Sequence, residues 1–526
     1  MAVFGTPFQQ TVLQRLDELT PVHIVGGAVR DDCLGHPSKD LDAVIALPVA
    51  AVEERLREWG YFPHRLGQRK PTVTLFDGQE RLDIGEAAGD LEEDALQRDF
   101  TLNALYVRVG TWELVDPLEG LSDLRLGLLR ACGRAEDRFG EDPIRVLRLV
   151  RLAVQYGFRV EPGTWRAAVR ALPQLGETAP ERVTAELARI LVLDKVTEGL
   201  LMLADLGYWQ AYLPELARLQ GLEQNRYHTK DAWEHTLEVV KNTPPRLLLR
   251  LAALWHDLGK WDTASRECRV GGKVERVAGE WRIEGFKLLG TGGERWQGKA
   301  AEVRGARLDH HPECIQVKRM GPPSGFSGFA WVPDGKRHFL GHERESARIV
   351  KTLLPRYVWS MFLNEPRRGG ERELLFLVEN HMAGTLAFLA ELRGEKSPGS
   401  LRDKAKRFAW RYGWNGRRFD PERLENLLAL WRADFFGGKA RVPEDSARLE
   451  RICEEIRRAS EDLADRLARL DWEPFLAFAR HYGLAGEEIG RFREFIRSEV
   501  ALAEGFPLED EAWLVKEWRK FRGRHR

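Results

Sequence analysis

The sequence predicts a multidomain α+β protein in which a small mixed-sheet head is followed by a mostly α-helical neck, body and tail. Three observations predict this. The chain has 526 residues, and at about 150 residues per domain that makes three or four domains. Short segments rich in Val, Ile and Leu, bounded by Gly, Asp or Pro, alternate with helix-like segments in residues 1–135. From Glu136 onward apolar residues recur mostly at helical spacing.

The elements follow in order. VHIVGG, DLDAVIAL, TVTLFDG and ALYVRVG read as strands, and VAAVEERLREWG as a helix closed by glycine. DPIRVLRLVRLAVQYG and ERVTAELARILVLD are amphipathic helices. The stretch from about Asp262 to Lys336 is rich in Gly, Trp and Arg and reads as an irregular or β-rich insertion. Helices resume at HERESARIVKTLL, and the polar RGEKSPGS (393–400) reads as a linker. The expected domains are a head (1–135), a neck (136–200), a helical domain (201–395) interrupted at about 262–336, and a helical tail (396–526).

Composition narrows the classes. Lys+Arg and Asp+Glu are both 81, which excludes a strongly basic coat protein or an acidic tail but not a local basic surface. None of the five cysteines forms a CxxC pair, so neither a disulfide framework nor a thiolate zinc site is expected. No apolar run reaches the ~18 residues of a membrane span. MAVFGTPFQQTVLQRLDEL lacks a signal pattern, so a cytoplasmic location without membrane contact is expected.

The first chemical constellation is IVGGAVRDDCLGHPSKDLDAVIAL. A strand runs into Gly26-Gly27 and a helix carrying Arg30 follows. Paired glycines let backbone amides approach a phosphate at a helix N-terminus, and an Arg can contact it bidentately. A tight turn alone also explains a Gly pair. Asp40 and Asp42 are two apart in an apolar strand, so both carboxylates point to one face. Such a pair is costly without a neutralising cation, and hard oxygen ligands suit Mg²⁺ bound with substrate phosphates.

GGAVRD followed by KDLD resembles the head of the class II tRNA nucleotidyltransferases, the CCA-adding enzymes, which share a DNA polymerase beta-like nucleotidyltransferase fold with bacterial poly(A) polymerases. QRDFTLNAL (97–105) is similar to the family's RRDFTINA, with Gln97 in place of its first Arg. VDPLEGLSDLRLGLLR (115–130), EDPIRVLRLVRLAVQYGF (141–158) and ERVTAELARIL (181–191) resemble the next family motifs in order, so the likeness covers roughly the first 220 residues. The resemblance implies template-independent addition to a tRNA 3′ end, with Asp40 and Asp42 holding Mg²⁺ while the 3′-hydroxyl attacks the α-phosphate and pyrophosphate leaves. Asp83, on a later strand, is a candidate third carboxylate. The resemblance makes Arg98 and Asp99 a ribose- and phosphate-contacting pair, with Asn103 one helical turn on, and makes Asp142 and Arg145 the readers of the incoming base. A carboxylate accepts from the exocyclic amine of C or A and an Arg donates to ring acceptors. At i and i+3 the two are expected on one helix face, with Arg148 and Arg151 extending the stripe.

One departure is informative. Members that build the whole CCA end carry a long flexible loop before the RDFT segment, whereas here RLDIGEAAGD runs almost directly into LEEDALQRDF. This shortening resembles the CC-adding subtype. It implies CTP as substrate, with ATP as the alternative, and a separate A-adding enzyme acting next. Full CCA addition, A addition and poly(A) synthesis are the alternatives.

The second constellation is rich in histidine. YHTKDAWEHTLEVV carries His228 and His235, LRLAALWHDLGK carries His256-Asp257, GHERESARIV places His342 at a helix start, and VENHM adds His381. The set resembles the HD phosphohydrolase superfamily, which implies an HD domain, a second divalent metal on His235, His256, Asp257 and His342, and a different-class alternative in which the HD domain is the active part. That superfamily has a further late Asp, and NHMAGTLAF around His381 offers none. His310, His311 and Glu313 in the insertion are residues of metal-ligating type, but adjacent histidines in a surface loop are usually no more than that, and the insertion is assigned no function. In the tail, RDKAKRFAWRYGWNGRR (402–418) interleaves Lys404, Arg407, Trp410, Arg411, Trp414 and Arg417, a pattern that suits RNA or, equally, a helix with buried Trp.

Overall fold

The computed structural model describes the chain except residues 1–3, 37–39, 68–70, 79, 225–229, 364–368, 396–398, 416–417, 439–441, 485, 503–510 and 525–526. Between 264 and 340 it describes Phe339 and the backbone of short strands. His228, His310, His311, Glu313 and Arg417 therefore lie outside the described residues. The chain forms two compact units, Met1–Pro214 and Glu215–Arg526.

The first unit opens with helix α1 (Pro7–Asp17), strand β1 (Val22–Val25), α2 (Gly27–Cys33), β2 (Leu41–Ile45) and α3 (Val49–Glu58). Strands β3 (His64–Leu66), β4 (Thr72–Asp77) and β5 (Glu80–Glu86) lead to α4 (Leu91–Leu96), then β6 (Tyr106–Arg108) and β7 (Leu114–Val115). The seven strands form one sheet in the order β3-β4-β5-β2-β1-β6-β7. It is mixed because β2 and β5 run parallel, which sets Asp42 opposite Asp83. Leu41, Ala43, Val44 and Ile45 are buried and Asp42 alone in β2 is exposed. Val44 shares the face of Asp42 but packs with Ala95, Ala104 and Tyr106, so the carboxylate stands where that apolar cover ends.

Helices follow: α5 (Gly120–Leu126), α6 (Ala135–Glu141), α7 (Arg145–Tyr156), α8 (Pro162–Ala171), α9 (Pro180–Leu191), α10 (Val196–Asp205) and α11 (Tyr208–Tyr212). A two-residue pair, β8 (Leu128–Leu129) with β9 (Arg159–Val160), runs parallel between them. The Asp116 carboxylate accepts from the N–H groups of Gly120 and Leu121 and fixes the entry to α5. Helix α7 buries Val146, Leu147, Leu149, Val150 and Leu152, as its apolar spacing requires, and Gly157 ends it at φ 69°.

The second unit is mostly helical. It includes α12 (Pro214–Ala217), which straddles the boundary, then α13 (Ala232–Asn242), α14 (Leu247–Trp255), α15 (Lys260–Thr263), α16 (His342–Leu353), α17 (Gly370–Asn380), α18 (Ala383–Ala387) and α19 (Leu389–Arg393). Then come α20 (Leu401–Gly413), α21 (Pro421–Gly437), α22 (Pro443–Ala468), α23 (Glu473–His481), α24 (Glu487–Leu502) and α25 (Glu511–Arg524). The insertion's described backbone is a set of short antiparallel strands, as the sequence suggested. In α20, Arg407 and Arg411 are exposed while Trp410 is half-buried and stacks on Trp414 at 5.1 Å.

Candidate active site and a buried histidine cluster

The head site is built where β1 turns into α2. Gly26 has φ 82° and ψ −138°, open to glycine and strained for other residues. A Cβ there would stand 3.6 Å from Asp42 Oδ2 and 3.9 Å from Arg98 Nη1, so the turn lies directly against both groups. Asp42 reaches solvent along the strand, but the Gly26 turn, Arg98 and Asp83 crowd its carboxyl, and its pKa is raised, first by this partial desolvation and next by the neighbouring Asp83. A cation there would relieve that repulsion. Asp83 also accepts from Thr74 Oγ1 at 2.6 Å and from Arg81 Nε at 3.0 Å. Asp40 is exposed just before β2, on the side of Asp42.

Arg98 is aimed by two residues that sequence reasoning did not single out. Its Nε and Nη2 donate to Asp94 Oδ2 at 2.9 and 2.8 Å, and Tyr106 OH donates to the same oxygen at 2.7 Å. Burial alone would raise the Asp94 pKa, but Arg98, Tyr106 and the Ala88 N–H outweigh it and hold the carboxyl below its ordinary value. Asp94 lies four residues before Arg98 in LEEDALQRDF, and that i, i+4 spacing was the available signal.

Arg30 is not free to meet a phosphate. It is 7% exposed, and its three nitrogens donate to Asp31, Asn103 and Tyr156 at 2.8, 2.5 and 2.7 Å. It ties α2 to the 3-10 turn Thr101–Asn103 and to the end of α7. Burial pushes Tyr156 up to about 12, so its hydroxyl stays protonated and donates to Asp31. Asn103 meets Asp99 through its Nδ2 at 2.9 Å, although a short 3-10 turn rather than an α-helical turn joins them. Asp99 is buried and also accepts from Arg148 at 3.0 Å.

The base-reading pair requires a correction. Asp142 and Arg145 do not share a helix face, because Asp142 is the extended residue between α6 and α7 with φ −149° and ψ 92°. Pro143 follows it, and a residue before proline is pushed out of the α region. Arg145 Nη1 donates to Arg138 O at 2.8 Å and Nη2 to Gln97 O at 2.8 Å. The stripe expected along α7 is drawn onto acids rather than into solvent: Arg148 meets Asp99 and Arg151 meets Glu186 at 2.6 Å.

The connection from β5 to α4 is short: Ala87, Ala88, Gly89 and Asp90 join Glu86 to Leu91. It is closed locally, with Asp90 capping α4 and the Ala88 N–H donating to Asp94 at 3.3 Å.

In the second unit His235, His256, Asp257, His342 and His381 converge from α13, the end of α14, the start of α16 and the end of α17. Asp434 of α21 joins them with Oδ1 3.0 Å from His235 Nε2, supplying the late acid that the sequence reading missed. RADFF carries no local mark of a ligand; only the packing of α21 against α13 brings it in. Asp257 is central: His256 Nε2 is 3.0 Å from its Oδ2 and His342 Nε2 is 3.3 Å from its Oδ1. Two ligand groups overlap on it, His235-His256-Asp257 and Asp257-His342-His381. The Nδ1 atoms of His256, His342 and His381 face backbone carbonyls at 2.7, 2.6 and 2.7 Å. A carbonyl only accepts, so each Nδ1 carries a proton, and in a neutral ring Nε2 is then the lone-pair donor; burial opposes charge on His256, but Asp257 beside its Nε2 outweighs it and raises the His256 pKa. His342 and His381 Nε2 are 3.1 Å apart. Burial, His256 and His342 push His381 down to about 3, so it stays neutral. Imidazole and carboxylate donors of this kind fit a divalent transition metal. Lys260 Nζ lies 2.6 Å from Asp257 Oδ2.

Comparison with known proteins gives three findings. Residues 22–90 and 79–130 match the Poly A polymerase head domain, and residues 157–219 match the probable RNA and SrmB-binding site of polymerase A. A CC-adding tRNA nucleotidyltransferase of Thermus thermophilus is 40% identical over 258 residues, which is 47% of this chain and 58% of that protein. An A-adding tRNA nucleotidyltransferase of Deinococcus radiodurans is 35% identical over 311 residues, 56% of this chain and 71% of that protein. The chain thus spans less than two thirds of the Thermus relative's length and somewhat more of the Deinococcus relative's. A crystal structure of the Bacillus stearothermophilus CCA-adding enzyme in complex with CTP shares the fold at TM-score 0.56 and 20% identity, covering 98% of this chain and 99% of that one.

Proposed function

The chain belongs to the class II tRNA nucleotidyltransferase family, and on that premise we propose that it adds CMP residues from CTP to the 3′ end of tRNA, leaving the terminal A to a separate enzyme. The observation that carries the CC reading is the connection Ala87–Asp90 between β5 and α4, where members that complete the whole CCA end have a long loop. The 40% identity to a CC-adding relative supports the same reading.

In this reading Asp40 and Asp42, with Asp83 beside Asp42, hold Mg²⁺, and the raised Asp42 pKa is the strain that a bound cation would remove. The metal supplies charge stabilisation for in-line transfer at the α-phosphate. The chain's own part is positioning. The Gly26-Gly27 turn offers backbone amides, Arg98 stands next to it on Asp94, and Asp142 and Arg145 meet the base. An Asp40→Ala, Asp42→Ala double variant tests the assignment: incorporation is lost, whereas survival of incorporation places the reaction elsewhere.

A second reading concerns the histidine cluster, and Asp434 is the observation that favours it. We propose that His235, His256, Asp257 and Asp434, with His342 and His381, bind divalent metal and support phosphoester hydrolysis. Metal analysis of the purified protein and of a His256→Ala, Asp257→Ala variant tests it. Equal metal content in both would remove this reading without touching the first.

A further inference from the structure

We propose that Arg182, on α9, is a specificity-positioning residue that sets the carboxylate of Asp142 for the incoming base. The inference rests on the reading of Asp142 as a base-contacting group. Arg182 Nη1 donates to Asp142 Oδ1 at 2.9 Å and Nη2 to Oδ2 at 2.7 Å. This is the two-pronged Arg–carboxylate arrangement, which fixes the plane of the carboxylate as well as its position. Asp142 needs such a fixture. It lies in the extended break that Pro143 imposes between α6 and α7, so no helix holds its side chain.

The fork uses one lone pair on each oxygen, and a carboxylate has about four acceptor sites. The outer lone pairs remain for an exocyclic amine. Arg145 is set in a similar way: three of its N–H donors are taken by Arg138 O, Gln97 O and Glu141 Oε2, at 2.8, 2.8 and 3.3 Å. Both base-facing groups are therefore fixed by neighbours before any nucleotide arrives: Asp142 by α9, and Arg145 by the carbonyl just before the RDFT segment. A template so fixed presents one pattern, a carboxylate that accepts and a guanidinium that donates. Cytosine offers an amine to the first, whereas uracil offers a carbonyl that the carboxylate repels. If the fork is removed, Asp142 swings and the discrimination between C and U weakens.

The test is single-nucleotide incorporation with CTP and UTP on the full chain, comparing Arg182→Ala, Arg182→Lys and Asp142→Ala. For Arg182→Ala the ratio of kcat/KM for CTP over UTP falls about tenfold or more, in line with the loss of a charge-assisted bond. The loss appears in KM for CTP, with kcat changed less than about threefold. Arg182→Lys keeps the charge but not the fork, and recovers only part of the ratio. A ratio within twofold of the parent's in a folded Arg182→Ala overturns the proposal, and if that variant does not fold, a parental ratio in Arg182→Lys does so instead. Asp142→Ala separates the two levels. If it keeps the ratio, Asp142 is no base reader and both readings fall. If it loses the ratio while Arg182→Ala does not, only the role of Arg182 falls.

Discussion

Asp94→Asn is the perturbation that most fully exercises the account of the head. One Asp94 carboxylate oxygen accepts from Arg98 at 2.9 and 2.8 Å and from Tyr106 OH at 2.7 Å, and the other accepts from the Ala88 N–H at 3.3 Å. Asparagine keeps the shape but removes the charge and puts a donor where these donors point. The two side chains are 9% and 21% exposed. Breaking a fully buried pair costs about 3–5 kcal/mol, and the residual exposure of Arg98 reduces this to about 3 kcal/mol. For a unit the size of residues 1–214 each kcal/mol shifts Tm by about 2–4 °C, so the expected drop is about 6–12 °C. The sign of the pH dependence follows from the depressed Asp94 pKa. The stabilisation is fully present above about pH 4, the carboxyl's unfolded value, and is lost as pH falls through the folded value. Scanning calorimetry of the full chain at pH 7 and at descending pH measures it, with hydrogen exchange of peptides from 91–106 identifying the transition that moves. A Tm within 2 °C of the parent's at pH 7, or a deficit that stays constant as pH falls below 4, would refute the reasoning.

Other expectations are narrower. Gly26→Ala puts a side chain at φ 82° and is expected to cost about 1–2 kcal/mol; it should depress CTP incorporation with the second unit's melting unchanged, and full activity would contradict the placement of the turn. Tyr156→Phe removes one partner each from Arg30 and Asp31 and should lower stability by about 1 kcal/mol, read by urea unfolding followed in unit-one peptides. Asp434→Ala should reduce bound metal about tenfold or more, since even outer partners of a metal site are worth that much, as measured by elemental analysis after dialysis; unchanged content would remove Asp434 from the ligand set.

The sequence disclosed most of what is set by local chemistry. The GG turn, Asp42 in β2 and the amphipathic α7 each depend on neighbours within a few residues, and each is found where the pattern puts it, whereas Asp40 falls just before the strand. Tertiary pairing was less legible. Asp434 was hidden because a lone acid in an apolar helix has no spacing signature, and the packing of α21 on α13 alone gives it a role. Arg30 looked like a phosphate contact because its type and place suit one, yet Asp31, Asn103 and Tyr156 engage its guanidinium. Asp142 could have been read better, since Pro143 beside it already forbids a continuous helix. The zero net charge, which argues weakly against a nucleic-acid partner, is compatible with one: Arg145, Arg148 and Arg151 stand on one helix among the acids that hold them.

The central claim is CC addition at a tRNA 3′ end. Its most direct measurement is incubation of the purified chain with tRNA transcripts lacking the CCA end, ending in C, or ending in CC, with CTP and ATP supplied separately and products sized to the nucleotide. A CC-adding enzyme makes two additions to the first transcript and one to the second with CTP, and none to the third with ATP. Efficient addition of A to the transcript ending in CC would contradict it.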